Sequence, residues 1–400
     1  MKESLIPFDD ARSRLLADVH PVSEMEEVDT QSALGRVLAV SQFSRIDMPP
    51  ADNAAMDGYA VRSAEVMTAG TILPVSQRVP AGSVPHPLAA HSAARIFTGA
   101  MLPPGADTVV RQEVCERVGD AVRINVVPLM AESVRHKGEN LTAGTEVLTR
   151  GTRLRPQEIA LAASVGLATL PVFRRVRVAV FSTGSELVMP GEPLPQGGIY
   201  NSNRFLLRSL LESLGCDVID FGIVRDDLAA TRTILLEAAR SSDLVLTSGG
   251  VSVGEEDHVK PAMQAEGRLD VWRVAMKPGK AFAFGRVGSA AFIGLPGNPV
   301  SSFVTFVLLV RPFLLASQGA QTVLPQGLYL PAAFERAKPS ARREFMRARI
   351  AESGVMLFPD QGSAALQSTA WAEGLVDIPA DETIEKGQPV RFLPISDLLH

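Results

Sequence analysis

Three apolar runs that each stop on small residues constrain this chain more than any other feature. They read "RVRVAVFSTG" (175–184), "DLVLTSGG" (243–250) and "AAFIGLPGN" (290–298). Each has the length of a strand and is too evenly apolar for a half-exposed one. After the first comes "NSNRFLLRSLLESLG" (201–215), with Phe205, Leu206, Leu210 and Leu214 at helical spacing and Gly215 to close it. A strand, "CDVIDFGIV", and a helix, "DDLAATRTILLEAARSS", capped by Asp226 or Asp227, follow it. Strand–helix–strand alternation predicts a parallel sheet with right-handed crossovers.

Open parallel sheets bind ligands beyond the carboxyl ends of their strands. The ends here are Ser182-Thr183-Gly184, Thr247-Ser248-Gly249-Gly250 and Pro296-Gly297-Asn298-Pro299, and Ser252 and Ser301 follow the last two. Any one of these loops reads equally as an ordinary strand-to-helix turn. Three on one edge, flanked by hydroxyls, point to an anion site, because glycine lets backbone N–H groups approach a ligand. Glu186, Asp226 and Asp257 follow successive strands. Carboxylates placed so can hold Mg²⁺ against phosphate oxygens. Asp226 and Asp257 also read as helix N-caps, and Glu255 and Glu256 as a solvated face. "MKPGKAFAFG" sets Lys277 and Lys280 on a rigid Pro278-Gly279 turn, where two cations can meet an oxyanion. No GxxxxGK[ST], GxGxxG after a strand, or HExxH occurs.

With 400 residues, two to four domains are expected. Residues 1 to about 45 read as helical, with Asp9 or Asp10 capping a run through Leu15 and Leu16, and a second short helix at "SALGRVLA". Short strands between Pro and Gly fill about 46–145, and Pro156 and Gly166 bound a further helix. The expected division is therefore 1–172 with a β-rich insert at about 46–145, 173–320, and 321–400, which is again made of short strands. "MPPADNAAMDGYAVR" (48–62) reads either as a buried connection or as an ordered substrate loop carrying Asp57. "FVTFVLLVRPFLLA" (303–316) is short for a membrane span and interrupted by Arg311-Pro312, so a buried helix is expected and no membrane. A net charge of −5 disfavours nucleic acid. Two cysteines without a CxxC, and an N-terminus with no apolar core, point to the cytoplasm.

Taken together, "DNAAMDGYAVR", "RIFTGAMLPPGADTVVRQE", "FSTGSEL", "SGGVSVGEEDHVK", "KPGKAFAFG" and "GLPGNPVSS" resemble, in order along nearly the whole chain, the molybdenum insertases of MoeA type, relatives of the gephyrin E domain. The resemblance implies an α/β multidomain fold. A central parallel-sheet molybdopterin-binding domain would be joined to an N-terminal β-rich module and a C-terminal β-domain. It implies insertion of molybdenum from molybdate into adenylylated molybdopterin, with Mg²⁺ and release of AMP. It implies a homodimer with its active site at the subunit junction. Molybdopterin adenylyltransferase and the maturation proteins of molybdoenzymes are the partners that such a role would bring.

Carried over residue by residue, Asp57, Thr98, Glu186, Asp226, Asp257 and Lys277 match functional positions of the family, and Ser301 lies in its "PGNPVS" loop. "RREFMR" and "QGS" resemble stretches that supply an Arg (Arg342 or Arg347) and a Ser (Ser363). Three positions depart from the family: Asn140 and Ser185 stand where acids are usual, and Arg273 where a lysine is usual. A molybdopterin adenylyltransferase-like enzyme, which shares the sheet domain, and a non-catalytic scaffold of the same fold remain the alternatives.

Overall fold

In the computed structural model, which describes residues 5–251 and 257–399, the first helix is α1 (Phe8–Ala17). Pro7 precedes it without a side-chain cap, and Asp9 and Asp10 lie in its first turn, where the helix dipole favours a negative charge. Phe8, Ala11 and Leu15 form its buried stripe. The helix expected at "SALGRVLA" does not form. Gly35 there has φ +75°, and Val37 and Leu38 bridge to Arg153 and Val172, so strand pairing overrides local propensity.

Two compact units make up the chain, one of Met1–Ala39, Gly151–Arg155 and Leu170–His400, the other of Val40–Arg150 and Pro156–Thr169. The second unit is built on strands β1 (Gly58–Val61), β2 (Thr71–Val79), β3 (Ala93–Ile96), β4 (Thr108–Arg111), β5 (Cys115–Val118) and β6 (Ala121–Ile124), in the order β4-β1-β3-β2-β6-β5. Ala54, Ala60, Val79, Ala94, Ile96 and Val109 fill one side of this sheet, and Tyr59, Val61, Leu73, Val110, Val122 and Ile124 the other. The 48–62 segment is an ordered connection. Asn53–Ala54 pairs with Val134–Arg135, and the Gly138 and Asn140 amides bond Pro49 and Met48. Helix α2 (Pro156–Ser164) starts on its proline, and Gly166 follows it at φ +80°.

The first unit carries the alternating elements: β7 (Arg177–Thr183), α3 (Ser202–Ser213), β8 (Asp217–Val224), α4 (Leu228–Ser241), β9 (Leu244–Ser248), α5 (Val259–Glu266), β10 (Arg268–Trp272), β11 (Met276–Lys277), β12 (Ala283–Val287) and β13 (Ala290–Leu295). The sheet order is β8-β7-β9-β13-β12-β10. The first four are parallel, and β12 and β10 close the sheet as antiparallel strands. Alternate residues of β7 divide between two cores. Val178 and Val180 pack with Leu207 and Leu211 of α3 and with Leu214 just after it, while Ala179 and Phe181 pack with Leu235 and Ala238 of α4. The period of two along a doubly covered strand explains its unbroken apolar run.

The apolar segment after β13 forms one continuous helix, Pro299–Ser317, made of α6 (Pro299–Thr305), a π segment (Phe306–Val310) and α7 (Arg311–Ser317). The expected break at Arg311-Pro312 is absent. Proline lacks an N–H and crowds the preceding turn, and the widened π segment lies just before it. This helix has the length and composition to cross a membrane, but 94% of that stretch is buried within the fold.

Strands β14 (Leu328–Pro331), β15 (Arg343–Ala351), β16 (Gly354–Leu357), β17 (Gly374–Ile378) and β18 (Pro389–Pro394) form the C-terminal sheet. Strand β11 joins it, running parallel to β15. Phe345, Leu375 and Leu393 share one core with α1 and the Pro299–Ser317 helix. Both cysteines are free, and burial pushes the Cys216 thiol up to about 12.

Candidate functional site

Adjacent parallel strands bring the predicted loops side by side. Ser182 of β7 pairs with Ser248 of β9, and Ser248 pairs with Leu295 of β13. On the other flank Thr183 pairs with Val224 of β8, the residue before Arg225-Asp226-Asp227. The edge therefore runs from Asp226 through Gly184 and Gly249-Gly250 to Pro296-Gly297.

Packing explains the glycines. Gly249 has φ +94°, and a Cβ there would lie 2.5 Å from the Thr183 carbonyl oxygen. At Gly250, φ +66°, a Cβ would meet Val259 and the Thr183 hydroxyl. The Gly249 N–H donates to Leu295 O at 3.2 Å. It is spent on the sheet, so among the described residues the phosphate cradle expected of this pair reduces to Gly250. At Gly184 a Cβ would lie 2.7 Å from the exposed Glu186 carboxylate, which covers the end of β7.

Asn203, near the start of α3, ties the edge together. Its Nδ2 donates to Ser248 Oγ and to Gly297 O, each at 2.7 Å. Asn201 caps the same helix, accepting from the Arg204 amide at 3.1 Å. Neither asparagine stands out in the sequence as a site residue. The available signal was two amide side chains within three residues at a helix start, where asparagine competes with helical hydrogen bonding. Around them, Ser182 Oγ, Thr183 Oγ1, Thr247 Oγ1, Asn201 Nδ2 and Asn203 Oδ1 are buried and have no hydrogen-bond partner among the described residues. Buried polar atoms are normally paired, and these five lie on both faces of the strand ends, Ser182 on the side of α3 and Thr183 and Thr247 on the side of α4.

A hollow of about 340 Å³ opens beside them, lined by Gly184, Ser185, Leu187, Ile223, Val224 and Arg225 to Asp227. Asp227 caps α4, accepting from the Ala230 amide at 2.8 Å, and Asp226 beside it lines the hollow. His258, not Asp257, occupies the N-cap position of α5. Ser252, Glu255 and Glu256 lie outside the described residues. Glu186, Asp226 and Asp257 do not gather: among the described residues no three acidic, histidine or cysteine side chains converge as a metal cluster. Mg²⁺ needs only one or two carboxylates when substrate phosphates complete its shell. Asp226 lies in the hollow and Glu186 beside Gly184, one of its lining residues.

The turn carrying Lys277 and Lys280 packs on α6, since a Cβ at Gly279 would overlap Thr305. Lys277 Nζ sits 3.0 Å from Glu344, a nearly fully buried carboxylate that also pairs with Arg336. Lys280 is exposed. Behind the loop after β13, the Ser302 hydroxyl donates to Pro296 O, and Ser301 is only 4% exposed. Ser301 is therefore buried in the first turn of α6 and does not face open solvent. Ser363 accepts the Val300 amide through its carbonyl at 3.3 Å. Arg342 is half-buried and donates to Met276 O at 3.3 Å. Arg347 is 1% exposed. Its guanidinium donates to Ser368 Oγ and to the Asp360 and Gly362 carbonyls, and burial pushes its pKa down to about 10. In this structure Arg347 orders the loop that ends at Ser363, and Arg342 is the more accessible cation.

Asp57 and Thr98 belong to the other unit. Asp57 Oδ1 accepts from the Thr98 amide at 2.8 Å and its hydroxyl at 2.7 Å. The amide bond, then the hydroxyl, hold this carboxyl below the usual range.

Residues 6–166 match the MoeA N-terminal region (domain I and II), residues 179–316 the probable molybdopterin binding domain, and residues 329–395 the MoeA C-terminal region (domain IV). That order, around the sheet edge described above, defines a MoeA-type protein. The chain is 38% identical over 369 residues to the molybdopterin molybdenumtransferase of Haemophilus influenzae, covering 92% of this chain and 90% of that one. It is 34% identical to that of Synechococcus elongatus, covering 97% and 99%. A crystal structure of the molybdopterin biosynthesis MoeA protein from Pyrococcus horikoshii superposes with a TM-score of 0.86 at 29% identity, over 98% of this chain and 100% of that one. The chain belongs to the molybdopterin molybdenumtransferase family, a family of transferases.

Proposed function

We propose that this chain inserts molybdenum from molybdate into adenylylated molybdopterin and releases AMP. The observation that carries the reading is the hollow at the carboxyl end of β7 and β8, lined by Gly184, Ser185 and Asp226, next to the polar strand ends of β9 and β13. A polar hollow at the carboxyl edge of a parallel sheet suits a ligand rich in donors and acceptors, such as a pterin with phosphates. Releasing AMP breaks a phosphoanhydride, and the negative charge that develops on the departing oxygen must be met by fixed cations. Lys277, Lys280 and Arg342 are the chain's candidates, and the same groups suit the tetrahedral molybdate dianion. Asp226 and Glu186 would hold Mg²⁺, which supplies charge neutralisation at the phosphates when bound.

The reading includes a homodimer working in the cytoplasm, with Asp57 and Thr98 serving the site at the junction between subunits. It places the chain after molybdopterin adenylyltransferase and before the maturation proteins that load molybdoenzymes. Incubating the protein with adenylylated molybdopterin, Mg²⁺ and molybdate should release AMP in proportion to molybdate. ATP consumed, with release of pyrophosphate, to make the adenylylated pterin would favour the adenylyltransferase-like alternative. No AMP under any condition would favour the scaffold.

A further inference from the structure

In the second unit, Asp57 stands one residue before β1 and Thr98 two residues after β3, on neighbouring strands. Two loop residues hold this geometry only if something fixes both loops. Arg95 does so. It lies on β3 opposite Tyr59 of β1 and Arg78 of β2. Its Nη1 donates to Gly58 O at 3.0 Å, next to Asp57. Its Nη2 donates to Gln112 Oε1 at 2.6 Å, and the Gln112 amide donates to Asp57 O at 3.1 Å. The guanidinium stacks over Tyr59 at 5.2 Å and over Phe97, the residue before Thr98, at 4.7 Å. The bonds close a ring from the Asp57 carboxylate through Thr98, Phe97, Arg95 and Gln112 back to the Asp57 carbonyl. Only a planar fork that both donates in two directions and stacks can fill this place, so lysine is no substitute.

We infer that Arg95, acting with Gln112, is a positioning residue that holds Asp57 and Thr98 in working geometry for molybdenum insertion. The inference rests on the reading above, in which Asp57 serves that reaction. It also accounts for an arginine whose donors are used within the protein beside a carboxylate that it further stabilises by its charge.

The test is a double-mutant cycle in the full-length protein, with AMP release from adenylylated molybdopterin, Mg²⁺ and molybdate as the readout. Arg95→Met should lower kcat by roughly ten- to a hundredfold, the scale of a misplaced reacting group, and leave the KM for molybdate nearly unchanged. Arg95→Lys should not rescue it. Adding Arg95→Met to Asp57→Ala should cost nothing further, because a positioning residue has nothing left to position. Independent, additive losses, or an unimpaired Arg95→Met enzyme, would overturn the inference. Should Arg95→Met fail to fold, Gln112→Ala, which removes one arm of the ring, takes its place in the same cycle: a loss absent from the Asp57→Ala background supports the inference, and an additive loss or none overturns it. A fully active Asp57→Ala enzyme would instead overturn the role of Asp57 itself, and this inference with it.

Discussion

Asp257 sits between a glycine pair and a helix, and the cap position of that helix is taken by His258. Asp257→Ala should fold normally and release AMP more slowly by roughly two orders of magnitude, the usual loss when electrostatic stabilisation of a reacting group is removed. An active variant removes Asp257 from the mechanism. Asn140 poses the reverse question, since the resemblance to the insertases leads one to expect an acid there. Its turn is closed by the main chain, with the Asn140 amide on Met48 O at 3.0 Å and the Gly138 amide on Pro49 O at 2.9 Å. The exposed side chain is not needed for that closure. Asn140→Asp should thus keep the fold and restore a metal-capable oxygen, lowering the Mg²⁺ concentration needed for half-maximal AMP release. Superimposable Mg²⁺ titrations would leave Asn140 as a plain turn residue.

Among the elements of the sheet edge, two glycines that look alike in sequence differ in what they do. A Cβ at Gly249 would strike the main chain of β7 from a φ of +94°, whereas at Gly297 the nearest atom, Gly249 Cα, is 4.0 Å away. Gly249→Ala should cost about 2 kcal/mol or more of stability and lower Tm. Gly297→Ala should melt like the parent yet release AMP more slowly if a ligand approaches the backbone there. A Gly297→Ala variant with full activity places the ligand elsewhere on the edge. The strands and these loops were legible because full burial and strand ends leave direct marks on composition. The tie made by Asn203 was not, because it joins α3, β9 and β13 across residues far apart in sequence. The same holds for Arg347 and Ser363: only the fold shows that one orders the loop bearing the other. "SALGRVLA" misled because its partners at Arg153 and Val172 are distant in the chain.

For the whole molecule, the proposed machinery is divided between the two units. Asp57 and Thr98 lie in one, and Glu186, Asp226, Asp257 and Lys277 in the other. A reaction that uses both sets must bring them together, either within one chain or between two copies. Under the homodimer reading, each site takes Asp57 from one subunit and Asp257 from its partner. Mixing the strongly impaired Asp57→Ala and Asp257→Ala proteins, then dissociating and reassembling them, separates the cases. In a mixed dimer of the two-copy kind, one site carries both substitutions and the other carries neither. Random reassembly makes about half the dimers mixed, so roughly a quarter of parental AMP release should return. If each site draws both residues from one chain, every site in the mixture keeps a defect and nothing returns. Silence from mixed dimers shown to have formed would therefore place Asp57 and Asp257 in the same subunit's site, or reduce Asp57 to a structural role.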